Sequence, residues 1–220
     1  MTSESVAAVP SPILVIPVGS FEQHGPHLPL DTDSRIANAL AERLVASLAT
    51  RAVLGPTITV TASGEHQGFA GTLSIGTETT ARVFEEIARS ADWAAGIVFV
   101  NGHGGNADAI ATARHTIDAE GRHALFWSPR AESGDDHHAG FTETSVLMHL
   151  DPTAVDTTRI APGNTSPITE IASALRTHGV KGVSPNGILG DPTKSSAEHG
   201  RHVFERWASD LEATVRSWKP

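Results

Sequence analysis

Ile13-Leu14-Val15-Ile16-Pro17-Val18 is an unbroken apolar run, bounded by Pro12 and Gly19. A strand with one wet face alternates polar and apolar residues. A continuous run is instead the pattern of a strand buried on both faces, as in a parallel sheet covered by helices. Ile97-Val98-Phe99-Val100 has the same character, and residues 124–127 (Ala-Leu-Phe-Trp) read as a third such strand. A short strand is expected at Ile58-Thr59-Val60.

Between these runs the apolar spacing changes. Ile36, Leu40, Leu44 and Leu48 are four apart, which predicts a helix over 33–49 that Asp31, Thr32 or Asp33 could cap. Val83, Ile87 and Ala91 mark a helix over 79–91, and a further helix over 108–120 stops at Gly121. Short helices are expected over 143–150 and 168–176. Val203, Trp207, Leu211, Val215 and Trp218 form one stripe of a last helix over 197–218. Residues 1–10 read as a loose tail, 61–76 and 130–140 as loops, and 151–190 as a stretch broken by Pro and Gly. Gly190-Asp191-Pro192-Thr193 looks like a helix entry with a capping residue. Strands alternating with helices make βαβ units, hence a mainly parallel sheet with helices on both faces. The expected fold class is α/β, a three-layer α/β/α sandwich, in a single domain over 1–220.

The chain has 220 residues, enough for a substantial core, and a formal net charge of -9 with no cluster of Lys or Arg. That balance argues against nucleic acid and against an anionic membrane surface as partners. The longest apolar run is too short to span a bilayer. There is no cysteine, so disulfides and thiolate metal sites are excluded, and the first residues lack the pattern of a signal peptide. A cytoplasmic location is the expectation.

Twelve histidines are present, and several cluster beside Gly, Asp or Glu rather than on apolar stripes. The first cluster follows the first strand: Glu22-Gln23-His24-Gly25-Pro26-His27, then Asp31-Thr32-Asp33. Glu22 and His24 are two apart, so in extended backbone they share a face, and a loop could fold Asp33 back toward them. Mixed oxygen and imidazole donors suit Zn, Mn or Fe. The second is Asn101-Gly102-His103-Gly104-Gly105-Asn106, directly after the second strand. Its glycines allow sharp turns and close approach, and it lacks the Lys of a phosphate loop. The third is Asp135-Asp136-His137-His138-Ala139-Gly140-Phe141-Thr142-Glu143. Here His138 is a candidate acid/base and Glu143 a candidate metal ligand or helix-start acid. His66, in Ser63-Gly64-Glu65-His66, and His137 are candidates for contacts to substrate. Each cluster could instead be a polar loop or a cap. Two of them fall at the carboxyl end of a buried strand, which is where α/β sheets bind ligands. With no Gly-x-Ser-x-Gly elbow and no cysteine nucleophile, a metal-activated water is the stronger chemistry.

At these motifs the sequence resembles the creatininase family. The residues that carry the likeness are Glu22-Gln23-His24-Gly25-Pro26-His27-Leu28-Pro29-Leu30 with Asp33, Asn101-Gly102-His103-Gly104, and His138-Ala139-Gly140 with Glu143-Thr144-Ser145. Within the family it is most similar to the branch of mycofactocin maturation, through Gly64-Glu65-His66-Gln67, Phe69-Ala70-Gly71-Thr72, Asn101-Gly102-His103-Gly104-Gly105-Asn106 and Ile188-Leu189-Gly190-Asp191-Pro192-Thr193. The resemblance implies a centre of two divalent ions per subunit (Zn, Fe(II) or Mn), with Glu22 and His103 on one, His24 on the other and Asp33 bridging. It also implies that His138 is the catalytic histidine. The creatinine-cleaving members carry a carboxylate at the position of Gly105, so another residue must replace it, and Glu143 is the candidate. They carry a glutamate at the position of His137, so their substrate recognition does not transfer. The resemblance further implies a homo-oligomer, a hexamer by analogy. The implied activity is release of a modified C-terminal Val-Tyr dipeptide from a ribosomally made precursor peptide. The alternatives are an amidohydrolase for a small cyclic amide or formamide, and a non-catalytic metal-binding protein.

Overall fold

The computed structural model describes residues 1–132 and 134–220, so Ser133 of the expected 130–140 loop lies outside the described residues. Four strands form one sheet: β1 (Ile13–Val18), β2 (Ala52–Leu54), β3 (Gly96–Asn101) and β4 (Ala124–Trp127). Their order is β2-β1-β3-β4, and every pairing is parallel. The doubly apolar strands follow from the two cores they separate. Val15, Val98, Val100 and Trp127 point to α2 (Thr32–Leu48) and the last helix, α7 (Ala197–Ser217). Leu14, Ile16, Ile97, Phe99 and Phe126 point to α3 (Thr77–Ser90) and α4 (Ala107–Ala119). The result is an α/β fold with helices on both faces of the sheet. Fully burying one Leu of α2, such as Leu40 or Leu44, is worth about 1.5–3 kcal/mol.

The sheet register sets up the site. Val18 of β1 pairs with Asn101 of β3, so both strands end level with each other. The chain winds from β1 one way to β2 and the other way to β3. The loops that leave β1 and β3 therefore part at the point where the winding reverses, where open α/β sheets form a crevice.

Several local expectations are corrected. The second strand is Ala52–Leu54 rather than 58–60. Pro56 brings no N–H and interrupts the ladder, after which Ile58 makes only a single parallel bridge to Val18. Residues 1–10 are not simply a tail, because Thr2 and Ser5 form a capping box that starts α1 (Ser3–Ala7). The short helix α5 spans Phe141–Leu150. α6 runs from Ile168 to Val183, beyond the expected end, across a kink at Gly179 with φ 66°. That glycine packs on the 64–66 turn, where a β-carbon would lie 2.6 Å from the Glu65 carbonyl oxygen. The 190–193 segment is a separate turn in which Asp191 accepts from the Thr193 N–H, and Ser196 caps α7. Among the described residues, no helix is long and apolar enough to cross a membrane.

Candidate metal centre

The β1 loop folds back on itself because Gly19 has no side chain. A β-carbon there would collide with Ser34, so the glycine lets the start of α2 press against the strand exit. Ser34 Oγ donates to the Ser20 carbonyl at 3.1 Å, and Ser20 Oγ donates to Asp33 Oδ2 at 2.8 Å. Asp33 thus faces inward from the first turn of α2, where the helix N-terminus favours a carboxylate. Asp31 occupies the cap position without a side-chain cap bond and turns outward to Arg35.

Asp33 is the hinge of the site. His24 Nε2 lies 2.9 Å from its Oδ1, and His103 Nδ1 lies 3.2 Å from its Oδ2. The other nitrogen of each ring is tied to the main chain. His24 Nδ1–H donates to the Glu22 carbonyl at 3.1 Å, and His103 Nε2–H donates to the Ala62 carbonyl at 2.9 Å. Each imidazole therefore presents a lone pair to a carboxylate at close range. That arrangement is repulsive unless a positive charge lies between, and anchoring the outer N–H is how metal-binding histidines are held. Glu22 strengthens the point, since both its carboxylate oxygens are buried without a hydrogen-bond partner. Donor atoms of Glu22, Asp33 and His103 lie within 4.8 Å of one another, and so do those of His24, Asp33 and Glu143. The two groups share Asp33. This donor set fits divalent cations.

The electrostatics describe the same demand with protons in place of metal. Burial alone would lower the His24 imidazole, but Asp33, Glu143 and Glu22 hold it up at about 10. His103 is likewise raised against its burial, chiefly by Glu22 and Asp33. Burial would lift the Asp33 carboxyl, yet His24 and His103 hold it well below the usual range. Burial raises Glu143 to about 7. A divalent ion would displace the protons on both histidines.

Two further histidines border this centre. Burial, with His24 nearby, pushes His66 down to about 3 and His138 well below its ordinary value, so both stay neutral. His138 is fixed by an antiparallel bridge to Leu189, and its Nδ1 lies 3.8 Å from Glu22 Oε1. The loop before it is anchored by Asp136, which accepts from the Phe141 and Thr142 N–H groups at the start of α5. A cavity of about 340 Å³ opens over the centre. Its lining combines Asp33, His103, His138 and Glu143 with the apolar Ile168, Leu175 and Val180 of α6. His66 belongs to the lining, while His137 is exposed at the rim.

The sequence reading missed two contributors. Gln23 is buried between His66 and His138, 2.9 and 3.0 Å from their ring nitrogens. Glu65 holds the space that a side chain at 105 would need, and its Oε1 is 3.6 Å from His103 Nε2. A glycine at 105 beside a carboxylate in the 64–66 turn was the available signal for Glu65.

A family model described as creatininase, creatinine amidohydrolase, matches residues 1–215. A mycofactocin precursor peptide peptidase from Mycobacterium ulcerans (strain Agy99) is 48% identical over 217 residues, covering 95% of this chain and 86% of that protein. One from Mycolicibacterium smegmatis is 47% identical over 214 residues, again covering 95% and 86%. A crystal structure of creatinine amidohydrolase matches with a TM-score of 0.80 at 22% identity, covering 100% of this chain and 96% of the other, a likeness of fold. By its match along nearly the whole length and by its relatives at close to half identity, the chain belongs to the creatininase family.

Proposed function

We propose that this protein is a metal-dependent peptidase that hydrolyses an amide bond of the mycofactocin precursor peptide. The observation that carries the reading is the shared carboxylate, Asp33, between two imidazoles whose outer nitrogens are anchored to the main chain. The relatives named for that activity support the substrate. Glu22, Asp33 and His103 would hold one ion, and His24, Asp33 and Glu143 a second. Zn, Fe(II) and Mn all suit these donors. When bound, the ions polarise the scissile carbonyl and make a water acidic enough to supply the nucleophile near neutral pH.

The chain's own groups do the rest. His138, neutral beside the centre, would take up the proton released by the attacking water and pass it to the leaving amine. The α6 wall excludes water from the reacting bond and receives the apolar part of the peptide. In this reading His66 and the exposed His137 are contacts to the substrate. The reading takes residues 1–220 as one domain, located in the cytoplasm. The C-terminal Val-Tyr product and a hexameric assembly enter it through the family resemblance.

The test is to incubate metal-loaded protein with the precursor peptide, already modified by its radical enzyme, with and without a chelator. Products are weighed by mass spectrometry. Chelator-sensitive loss of a C-terminal dipeptide is the expected result. An intact peptide, with metal content verified, would sink the reading in favour of a small-molecule amidohydrolase.

A further inference from the structure

We infer that Gln23 is a positioning residue: its amide and its main-chain carbonyl fix the tautomers of two neighbouring imidazoles and so give them different roles. His66 is left with its N–H on Nε2, the nitrogen that faces Glu22, and His138 with its N–H on Nε2, so that Nδ1 is the nitrogen left for the cavity. The role given to His138 rests on the peptidase reading above.

The argument begins with the amide. Gln23 Oε1 accepts from the Gly25 N–H at 2.9 Å, and Nε2 donates to the Gly187 carbonyl at 3.0 Å. A peptide N–H cannot accept and a carbonyl cannot donate, so these two partners leave one orientation for the side chain. Gly187 is held at φ +84°, and a β-carbon there would collide with the Gln23 amide, so a glycine is needed for this contact. Nε2 has one more hydrogen, and His66 Nδ1 stands 2.9 Å away. That ring nitrogen must be the acceptor. The single N–H of His66 is then on Nε2, which faces Glu22 Oε1 at 3.2 Å.

His138 is decided by elimination. Its Nε2 lies 2.8 Å from the Gln23 main-chain oxygen and 3.0 Å from the Gln23 amide nitrogen. Both amide hydrogens are already used, and a lone pair aimed at a carbonyl would repel it. Nε2 therefore carries a hydrogen and donates to the carbonyl, and Nδ1 is the nitrogen left for the cavity. Every polar atom of the Gln23 side chain is satisfied by this single assignment. The two rings, with centroids 4.4 Å apart, therefore meet the same side chain differently: His66 accepts from the Gln23 amide, and His138 donates to the Gln23 carbonyl. Which nitrogen bears the proton is set by what the other one bonds.

The test reads the rings directly. Protein labelled with 15N in histidine and loaded with zinc gives long-range proton–nitrogen correlations that report each tautomer. His66→Gln and His138→Gln identify the two signals by their loss. In the wild-type protein both rings should show the Nε2–H form. Gln23→Glu replaces the amide donor by an acceptor and should turn His66 to the Nδ1–H form. Gln23→Met should leave both rings mixed. In both variants kcat on the precursor peptide should fall about 10-fold or more, with KM within about 3-fold and bound zinc unchanged, the scale of losing an outer partner. A wild-type spectrum with Nδ1–H on either ring would overturn the assignment. So would a Gln23→Met protein with unchanged spectrum and unchanged kcat. Wild-type rings as described, in a protein that leaves the peptide uncut, would support Gln23 and count against the peptidase reading alone.

Discussion

Gly105 and Glu65 compete for one volume: a β-carbon at 105 would run into Glu65 Oε1 and His103 Nε2. The carboxylate that borders His103 comes from the 64–66 turn because position 105 leaves room for it. Gly105→Ala should push Glu65 toward solvent, where its side chain is already 30% exposed, and disturb the His103 ring. Metal affinity should then drop about 10-fold, the lower end of the range for lost outer-shell support. Glu65→Gln should show a loss in the same direction. Metal per chain after dialysis against a graded chelator is the measurement, and unchanged retention in both variants would remove Glu65 from the site.

Asp33 belongs to two of the three donor groups among the described residues and joins the pair assigned to the two ions, whereas Glu143 belongs to one. Asp33→Ala should therefore strip all bound metal. Glu143→Gln should lower the stoichiometry toward one ion per chain, since Glu22, Asp33 and His103 are left in place. Equilibrium dialysis with metal analysis separates the two outcomes. Full metal content in Asp33→Ala would sink the bridging role.

Much of this was legible in the chain, for a physical reason. β1, β3 and β4 are covered by helices on both faces, and double burial leaves runs such as Ile97–Val100 that no surface strand tolerates. β2 was hidden because three residues are too few to show a pattern, and the β-branched Ile58-Thr59-Val60 lay close by as a decoy. Glu22, His24, Asp33, His103 and Glu143 could be gathered from sequence because they lie where strands end or helices begin. Gln23 could not. Its partners stand 43 and 115 positions away, and its meaning depends on which ring atoms face it. Neighbouring His137 and His138 are told apart in sequence only by the family resemblance, whereas in the structure one is exposed and the other is buried against Gln23.

The metal-free protein should lose stability as pH rises. His24 is lifted in the folded state from its ordinary 6.5 to about 10. A raised folded value means the stabilisation is fully present below 6.5 and disappears as pH climbs through about 10. Glu143, raised to about 7 by burial, acts in the same direction at lower pH. Melting temperatures of chelated protein should accordingly fall between pH 6.5 and 10, and the fall should flatten in His24→Gln. Metal affinity should move the opposite way over that window, because the ion has fewer protons to displace. A chelated protein whose melting temperature rises across the window would contradict the protonated pair.

His138 has an open ring nitrogen near the centre but no anchoring contact to Asp33. It is also near enough to Glu22 and His24 to form a third possible donor group with them. The two roles differ in what its removal does. If His138 moves the proton, His138→Ala keeps nearly all bound metal while kcat on the precursor peptide falls about 100-fold or more, the usual contribution of a general acid or base. If it is a ligand, metal content falls together with kcat. We expect the first result. Its Nε2 is engaged by the Gln23 carbonyl, and Nδ1 lies 3.8 Å from the nearer Glu22 oxygen, whereas His24 and His103 stand 2.9 and 3.2 Å from Asp33. Metal analysis and single-turnover rates on the same preparation decide between them, and full activity in His138→Ala would eliminate both.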